Sequence, residues 1–486
     1  MRDALYRLSD NPEASLQVRI REMLITLVTD GHLTAGDAIP STRAMARRIG
    51  VSRNTVTLAY QALVADGFLR PRNRSGFFVD MEAVRPVSLP LPDHGDGARI
   101  DWRTRLVLHP GEQSNISKPK NWSAVEYPFI YGQVDAGLFP IAEWRDCVRQ
   151  AMGKQWMEAW TEDRFMVDDP ELIRQIRRRL LPRRGIMAKD EEILITLGAQ
   201  NALYLIASLL VNAATRVAVE DPGYPDMRNM FRLLTNDVRC IPLDNEGLRI
   251  DEGLSGVDVI FVTPSHQFPT TVTMSLERRR ELLAAAHRED AVIVEDDYEF
   301  ETNYNGEPFP ALKSFDAEGR VIYVGSLSKT LMPGLRLGYV VASKPLIDEM
   351  RALRRLLLRH PPGNNQRAAA LFLANGHYDT LTYRIHRVYR ERWTLLGNAL
   401  ERHLPGWCQW PGFGGSSYWL TGPRDLNAEA LSVKALRNDI LIEPGAVFFD
   451  KSADNRNTFR LGFSSIATDR IAEGVKRLAD VVKTMS

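Results

Sequence analysis

The feature that most constrains this chain is a strand–loop–strand pattern in its second half. An apolar run from Val321 to Val324 stops at Gly325, and a second apolar run begins at Leu337. The intervening S-L-S-K-T-L-M-P-G-L-R predicts a tight polar loop between two strands. Apolar strands on both sides would place Lys329 at the edge of a buried sheet. Because burial disfavours a charged ammonium, we expect the pKa of Lys329 to fall and its amine to become nucleophilic.

The polar neighbours of Lys329 suit an anion. Ser326, Ser328 and Arg336 lie within seven residues of it, and their hydroxyl and guanidinium groups are suitable phosphate ligands. Pyridoxal 5'-phosphate requires this combination, an amine for its aldehyde and a set of donors for its phosphate. We therefore expect this cofactor at the loop.

The segment S-L-S-K-x-x-x-P-G-L-R-L-G-Y resembles the lysine loop of fold-type I aminotransferases. The resemblance implies that Lys329 is the catalytic lysine and carries the cofactor as an internal aldimine. It also implies that Ser326, Ser328 and Arg336 hold the phosphate. The resemblance covers roughly residues 125–486 and includes, in order, G-A-Q, D-P-G-Y, E-D-D-Y and R-L-G-F.

The body of the chain alternates strand-like and helical stretches, which predicts an α/β layered sheet. The strand-like runs are Ile193–Leu197, Arg216–Val219, Val238–Pro242, Val259–Val262, Ala291–Val294, Val321–Val324 and Tyr339–Val341. Ligands of such sheets bind at strand ends. After the first strand, the backbone N–H groups of Ala199 and Gln200 would point at an anion from a helix N-terminus. After the second, Tyr224 could stack on an aromatic ring.

The E-D-D-Y segment follows the fifth strand. A carboxylate there can pair with the pyridine nitrogen and keep it protonated. By the resemblance Asp296 takes this role and Tyr298 contacts the phenolic oxygen of the cofactor. Asp297 is the competing assignment, because adjacent acids on a strand point in different directions. The loop S-H-Q-F-P departs from the family's N-P-T-G, and Gln267 or His266 is the candidate substitute for its asparagine.

Arg460, in T-F-R-L-G-F near the C-terminus, is the candidate effector-binding residue. Arginine suits bidentate binding of a substrate carboxylate. The competing interpretation is a structural salt bridge.

The first eighty residues predict a winged helix-turn-helix. Leu16–Thr29 has amphipathic helical spacing, and serines precede two further helices, Thr42–Ile49 and Arg53–Ala65, each followed by glycine. The segment F-L-R-P-R-N-R-S-G-F-F-V reads as two short strands around a basic turn. Three helices plus a hairpin, with two helices joined at Gly50, form the winged pattern.

Local charge supports a nucleic-acid partner. Residues 40–79 contain seven arginines, no lysine and one acid, a local net charge of +6 in a chain of net charge +1. Such a concentration indicates contact with a phosphate backbone. The candidate DNA contacts on the third helix and the hairpin tip are Arg53, Asn54, Thr55, Thr57, Arg72 and Arg74.

The run L-T-A-G-D-A-I-P-S-T-R, continuing through I-G-V-S-R-N-T-V, is similar to the GntR-type winged helix. The similarity covers about residues 13–80. It implies that Arg43, Arg53, Asn54 and the wing tip near Gly76 contact double-stranded DNA.

A GntR-type head fused to an aminotransferase-like body resembles the MocR subfamily of bacterial regulators. Proline-rich residues 81–120 read as a semi-extended linker between a DNA-binding domain, 1–80, and a cofactor- and effector-binding domain, 121–486. The resemblance implies a transcriptional regulator that senses a small amine or amino acid, or pyridoxal 5'-phosphate itself. It also implies a head-to-tail homodimer, with each head on the partner's body.

In this hypothesis an amino compound displaces Lys329 as an external aldimine, and Arg460 holds its carboxylate. A ligand can change the arrangement of the DNA-binding domains only if it binds two conformational states of the protein with different affinity. Two alternatives stay open. One is a functional aminotransferase that carries a DNA-binding domain. The other is a regulator whose body is a dimerisation scaffold without cofactor.

Composition narrows the class of protein further. Hydrophobic content of 44% and charged content of 25% are those of a soluble globular chain. Neither a signal peptide nor an apolar run of membrane-spanning length is found. The three cysteines have no metal-binding or redox spacing, so we expect a reducing compartment, the bacterial cytoplasm, and no metal site.

Overall fold

The computed structural model describes residues 6–11, 14–72, 75–80, 100–408 and 412–485. It divides the chain into two compact units, Met1–Arg105 and Leu106–Ser486. Within the described ranges, every helix is too short or too polar to serve as a transmembrane span.

The smaller unit combines helices with a small antiparallel sheet. Its helices are α1 (Leu16–Thr29), α2 (Thr42–Ile49), α3 (Arg53–Ala65) and α4 (Trp102–Arg105), and its strands are β1 (Ala38–Ile39), β2 (Leu69–Arg72) and β3 (Gly76–Val79). The strand order is β1-β3-β2, and β2 and β3 form the wing hairpin. The predicted winged helix-turn-helix is confirmed.

Local signals set the helix boundaries in this unit. The hydroxyls of Ser41 and Ser52 accept hydrogen bonds from the backbone N–H groups of Ala44 (3.3 Å) and Thr55 (3.1 Å). An N-cap side chain satisfies one of the donors that a helix start leaves unpaired. Gly50 ends α2 with φ 70°, a conformation that glycine adopts at little cost. The turn between α2 and α3 therefore follows directly from the sequence.

The larger unit contains the strands β4 (Tyr127–Pro128), β5 (Ile193–Thr196), β6 (Val217–Asp221), β7 (Val238–Asp244), β8 (Gly247–Leu248), β9 (Val259–Val262), β10 (Val292–Asp297), β11 (Val321–Ser326), β12 (Gly338–Val341), β13 (Ser417–Thr421), β14 (Ile440–Leu441), β15 (Glu443–Pro444) and β16 (Thr458–Gly462). Strands β5 to β12 form an eight-stranded sheet in the order β5-β12-β11-β10-β9-β6-β7-β8. Strands β7, β6, β9, β10 and β11 are parallel, and β12 is antiparallel to both β11 and β5. A smaller sheet has the order β13-β16-β15, and β4 pairs with β14.

The helices of this unit are α5 (Ile141–Ala151), α6 (Glu158–Thr161), α7 (Pro170–Gln175), α8 (Ala199–Leu210), α9 (Pro225–Arg232), α10 (Leu276–Glu289), α11 (Lys344–Leu358), α12 (Gly363–Ala374), α13 (His377–His403), α14 (Ala428–Leu436) and α15 (Ile471–Lys483). The eight-stranded sheet is covered on both faces. Along β11, Ile322 and Val324 join one buried apolar cluster, whereas Val321 and Tyr323 join two others. Burial on both faces explains why the predicted strands read as continuous apolar runs. The predicted α/β layered sheet is confirmed.

The lysine loop leaves the carboxyl edge of the parallel strands. Asp296 of β10 is in register with Val324 of β11, two residues before that strand ends. The backbone N–H of Leu327 donates to the carbonyl of Leu337 at 3.1 Å and closes the base of the loop. Acid, serines and lysine therefore meet at one edge of the sheet.

The predicted linker falls into three parts, of which residues 100–105 belong to the smaller compact unit. Residues 81–99 lie outside the described residues. Residues 106–120 belong to the larger compact unit, where the side chain of Gln113 donates to the carbonyl of Asn229 at 3.1 Å. Asn115 likewise donates to Asp226. The proline spacing from which the linker was predicted gives no sign of such side-chain contacts.

Candidate cofactor and effector site

A cavity of about 530 Å³ opens at the carboxyl edge of the eight-stranded sheet. It is lined by Asn115, Ile116, Lys118, Tyr131, Gly132, Ala199, Gln200, Leu203, Tyr224, Asp226, Thr263, Phe268, Asp296, Tyr298, Ser326, Ser328, Lys329, Pro333, Arg336 and Arg460. Apart from the two candidates for the missing asparagine, the residues predicted from sequence to bind cofactor, and the predicted effector residue, are in this set. The fold thus brings together side chains that are far apart in the chain.

Lys329 presents its amine to aromatic rings. Its Nζ lies 4.1 Å from the centroid of the Tyr131 ring and 6.0 Å from that of Tyr298. Burial lowers the pKa of Lys329 to about 8, against the opposing effect of Glu299. The hydroxyl of Tyr131 donates to Glu299 at 2.9 Å, so this acid is engaged nearby. The expected fall in the pKa of Lys329 is confirmed, and with it a substantial fraction of nucleophilic amine near neutral pH.

Arg336 lies against the N-terminus of α8. Its Nη2 donates to the carbonyl of Leu197 at 3.2 Å. A Cβ on Gly198 would come within 2.8 Å of the same nitrogen, and Gly198 has φ +82°. Arg336 itself adopts φ +51°, which is uncommon for a residue with a side chain. The guanidinium reaches this position because the neighbouring residue is glycine.

Further donors converge on the same end of the cavity. The hydroxyl of Ser328 is buried without a hydrogen-bond partner, and its backbone N–H donates to the hydroxyl of Ser326 at 3.3 Å. Ala199 and Gln200 open α8, where the first N–H groups of a helix lack intrahelical acceptors. Together with the nearby guanidinium, these groups form a site suited to a phosphate.

Asp296 and Asp297 have different surroundings. Asp297 accepts from Nε of Arg184 at 2.6 Å and from the hydroxyl of Tyr323 at 2.8 Å. Burial acts to raise its pKa, but Arg184 and the hydrogen bonds hold the pKa below its ordinary value. Asp296 lines the cavity, and its Oδ1 has no partner. Burial, and then the charge of Asp297, raise the pKa of Asp296 to about 7. The structure thus leaves only Asp296 of the pair facing the cavity.

The two tyrosines that were predicted to contact the cofactor have hydroxyls that are already engaged. The hydroxyl of Tyr224 lies 2.7 Å from Oε1 of Gln200 and 2.9 Å from Oδ2 of Asp226. The hydroxyl of Tyr298 donates to the carbonyl of His266 at 2.8 Å. The contact between Tyr298 and the phenolic oxygen of the cofactor therefore stays a prediction. To make it, the Tyr298 hydroxyl would either accept a hydrogen bond or donate its proton to the cofactor instead of to His266.

Neither candidate for the missing asparagine lies in the cavity. The amide nitrogen of Gln267 donates to Glu220 at 3.2 Å and to the carbonyl of Pro222 at 2.8 Å. His266 is buried outside the set of lining residues. The amide of Gln267 is thus engaged within the protein, the Nδ1 of His266 is buried without a partner, and Phe268 of the same loop lines the cavity.

Arg460 forms the structural salt bridge of the competing interpretation and still lines the cavity. Its Nε donates to Oε2 of Glu443 at 3.0 Å, which is the structural salt bridge of the competing interpretation. Its Nη1 and Nη2, however, have no partner. The guanidinium carbon lies 4.2, 4.6 and 4.9 Å from the ring centroids of Tyr131, Phe268 and Phe448. Arg460 is thus a buried cation with unused donors at the cavity wall.

Part of the cavity wall was not predicted from sequence, because it comes from the end of the segment that was predicted as a linker. Asn115, Ile116 and Lys118 line the cavity, although their surroundings in the sequence indicate only a tether. Tyr131 and Gly132 were missed as well. A signal for them exists, because the apolar run Y-P-F-I-Y stops at a glycine, as the run before the lysine loop does.

The smaller unit presents its predicted DNA contacts in two ways. Arg43, Arg53 and Asn54 are exposed on α2 and at the start of α3. The hydroxyl of Thr55 bonds to the N-cap serine at 2.7 Å, and that of Thr57 donates to the carbonyl of Arg53 at 2.9 Å. The hydroxyls of the two threonines are therefore engaged within the helix, whereas the side chains of Arg43, Arg53 and Asn54 are exposed.

The wing carries one described basic residue of the predicted pair. Arg72 is exposed, with its guanidinium carbon 4.5 Å from the centroid of the Phe78 ring. Arg74 lies outside the described residues. Gly76 has φ +100° at the start of β3, a conformation suited to the tight turn of a wing.

Comparison with known proteins identifies both units. Residues 16–79 match the family of bacterial regulatory proteins of the gntR type, and residues 147–478 match aminotransferase class I and II. The HTH-type transcriptional regulator TauR of Rhodobacter capsulatus is 44% identical over 98% of this chain and 99% of its own length. The probable rhizopine catabolism regulatory protein MocR of Rhizobium meliloti is 30% identical over 82% of this chain and 80% of its own. The chain belongs to the MocR subfamily of GntR-type transcriptional regulators. This MocR-type protein is therefore a DNA-binding regulator of transcription, as its sequence predicted.

The larger unit of this MocR-type regulator has the aminotransferase fold. Kynurenine aminotransferase of Pyrococcus horikoshii superposes with a TM-score of 0.72 and is 29% identical, covering 79% of this chain and 98% of the enzyme. LysN, the α-aminoadipate aminotransferase of Thermus thermophilus, gives a TM-score of 0.71 at 27% identity, covering 79% and 99%. The MocR-type chain therefore retains nearly the whole enzyme fold beside its DNA-binding unit.

Proposed function

We propose that this regulator binds pyridoxal 5'-phosphate at Lys329 and uses it to sense a small primary amine. Binding of the amine changes the affinity of the regulator for operator DNA. The observation that carries the proposal is the coincidence, in one cavity, of a lysine with a lowered pKa, a buried Asp296 carboxyl oxygen without partner and a buried Ser328 hydroxyl without partner. Buried polar groups are normally paired. Unpaired groups lining a cavity indicate a ligand that completes them.

The lining residues fit the cofactor at each of its functional groups. Ser326, Ser328, Arg336 and the first N–H groups of α8 would hold its phosphate. Asp296 would face its ring nitrogen, and Lys329 its aldehyde. When bound, pyridoxal 5'-phosphate supplies an aldehyde for which Lys329 and a ligand amine compete, and a ring that withdraws electrons.

The protein's own groups set the protonation states in this cavity. With a pKa of about 8, the amine of Lys329 is deprotonated often enough to act as a nucleophile near neutral pH. Asp296, with a pKa raised to about 7, gains a stabilising partner when a protonated nitrogen lies beside it, and would then stay ionised. Burial of both groups strengthens the interaction between them and any ligand.

The effector would be an amine with an acidic group. The unused Nη1 and Nη2 donors of Arg460 favour a ligand that brings a negative charge to the cavity wall. Such a ligand changes DNA binding only if it binds two states of the protein with different affinity. We propose that these states belong to a head-to-tail homodimer in the bacterial cytoplasm.

The test begins with the spectrum of the purified protein. We expect an absorbance band typical of a lysine-bound pyridoxal, and borohydride should fix the cofactor on the peptide that contains Lys329. Lys329→Ala should abolish both the fixation and the response of operator binding to amines. A colourless protein, or a K329A variant with an unchanged amine response, would overturn the proposal.

The same preparation separates regulator from enzyme. Adding an amine and a keto acid should change the spectrum once, without continued product formation. Sustained transamination at ordinary enzyme rates, on the order of 1–1000 per second, would instead favour a functional aminotransferase with an attached DNA-binding unit.

A further inference from the structure

The cavity contains a second lysine, Lys118, which has no role in the cofactor binding proposed above. It lies in residues 106–120, the part of the predicted linker that belongs to the larger unit, and it lines the same cavity as Lys329. A Cβ placed on Gly132 would lie 3.3 Å from Nζ of Lys329 and 3.4 Å from Nζ of Lys118. The two amines therefore face one small volume, which is open because residue 132 is glycine.

The backbone around Lys118 is fixed from the side of α9. The side chain of Asn229 donates to the carbonyl of Ser114 at 2.9 Å, and Gln113 donates to the carbonyl of Asn229 at 3.1 Å. Asn115 donates to Asp226. These bonds hold the segment against the cavity, so the position of its lysine is largely set before any ligand arrives.

The amine of Lys118 retains donors for a ligand. It donates to the carbonyl of Tyr131, and its contact with Oε1 of Glu443, at 3.8 Å, is too long for a hydrogen bond. An ammonium has three donors, so it can bind a further acceptor. Burial lowers the pKa of Lys118, and Glu443 opposes that effect. An added anion would favour the charged form further.

Lys118 is also more accessible than Arg460. The side chain of Lys118 is 24% exposed, whereas that of Arg460 is 1% exposed and is surrounded by three aromatic rings. Two cations face the single carboxylate of Glu443 at this wall of the cavity. A ligand that carries one negative charge would balance them, and it would meet Lys118 first.

We propose that Lys118 determines effector specificity by binding the acidic group of a short amino acid whose amine lies at Lys329. The inference rests on the proposed function, and it adds the small size of the ligand and the residue that recognises its acidic group. It also places a recognition residue near the N-terminal end of the larger unit, which begins at Leu106.

The experiment uses the full-length, cofactor-loaded protein and two pairs of probes. 3-Aminopropanoate is compared with propylamine, and L-alanine with ethylamine, by spectral titration and by operator binding. We expect wild type to prefer at least one acid over its matched amine. Lys118→Gln should weaken that acid about 10-fold or more, the effect of a lost hydrogen bond to a charged group, and leave the amine unchanged. Lys118→Arg should restore part of the preference.

Lys120→Gln is the matched control, because Lys120 is exposed two residues further on and does not line the cavity. It should behave as wild type. Equal weakening of acid and amine by Lys118→Gln, loss of the cofactor band in that variant, or a wild type without preference for either acid would each overturn the inference. A wild type without any cofactor band would instead overturn the proposed function, so the two failures are distinguishable.

Discussion

Asp297 lies 2.6 Å from Arg184, whereas its neighbour Asp296 presents an unpaired oxygen to the cavity. The two acids are consecutive on β10, and consecutive side chains of a strand point to opposite sides. One carboxylate therefore supports the fold, and the other is left for a ligand. Substituting each acid separately should give different outcomes.

Asp296→Asn should weaken cofactor binding without unfolding the protein. The neutral amide keeps the size of the side chain but cannot form a charge-assisted bond to a protonated ring nitrogen, a loss of about 1.5–3 kcal/mol. Titration of the cofactor-free variant with pyridoxal 5'-phosphate should show about 10- to 100-fold weaker binding. Its thermal unfolding without cofactor should match that of wild type. Equal affinity in the variant would contradict the assignment of Asp296.

Asp297→Ala should instead destabilise the larger unit. Both Asp297 and Arg184 are fully buried, and removing one partner leaves an uncompensated buried charge, at a cost of about 3–5 kcal/mol. Chemical denaturation of the cofactor-free protein measures this change. Asp163→Ala, which removes an exposed partner of Arg359, is the control and should leave stability close to wild type. A stable Asp297→Ala variant would show that the pair is dispensable.

The difference between these two acids also shows what the sequence could and could not predict. The adjacent acids and the strand periodicity predicted that only one would face the ligand, and the resemblance indicated Asp296. The sequence does not show Arg184, 113 residues away, as the partner that engages Asp297. The periodicity of residues within one segment does not identify a side-chain partner that is distant in the sequence.

The fold itself was predictable because its signals are local. Apolar runs predicted the strands, two of them ended by Gly198 and Gly325, and serine caps with Gly50 predicted the helix-turn-helix. The contribution of Lys118 and Asn115 to the cavity wall was not predictable. A proline-rich stretch has the composition of a linker whether or not it packs against the rest of the protein. Its attachment depends on bonds to Asn229 and Asp226 that only the folded chain brings near.

The rate at which the cofactor attaches should depend on pH through Lys329. Only the deprotonated amine attacks an aldehyde, and burial lowers the pKa of Lys329 to about 8. The rate should therefore rise with pH and level off above that value, rather than near 10.4 as for an unperturbed lysine. Stopped-flow absorbance between pH 6 and 10 measures the midpoint. A midpoint close to that of free lysine would contradict the influence of the cavity.

Gly198→Ala should damage the phosphate end of the cavity. The added Cβ would come within 2.8 Å of Arg336, at a residue with φ +82° and ψ 169°. Backbone strain in this glycine-dominated region costs about 1–3 kcal/mol, and the arginine must move. Cofactor titration should show weaker binding, with inorganic phosphate competing less well than in wild type. Gly334→Ala, in the lysine loop two residues before Arg336 and with nothing within 4 Å of the added Cβ, should bind the cofactor normally.

Arg53→Ala should weaken operator binding through the start of α3. Arg53 is exposed there, beside a helix start that the N-cap serine already stabilises, so its removal should spare the fold. If it contacts a base edge, the variant should lose about 1–3 kcal/mol of affinity and discriminate less at one operator position. If it contacts only phosphate, affinity should fall on all sequences and the salt dependence should decrease by about one ion. Gel-shift titrations at several salt concentrations separate the two, with Arg437→Ala, an exposed arginine of the larger unit, expected to bind as wild type.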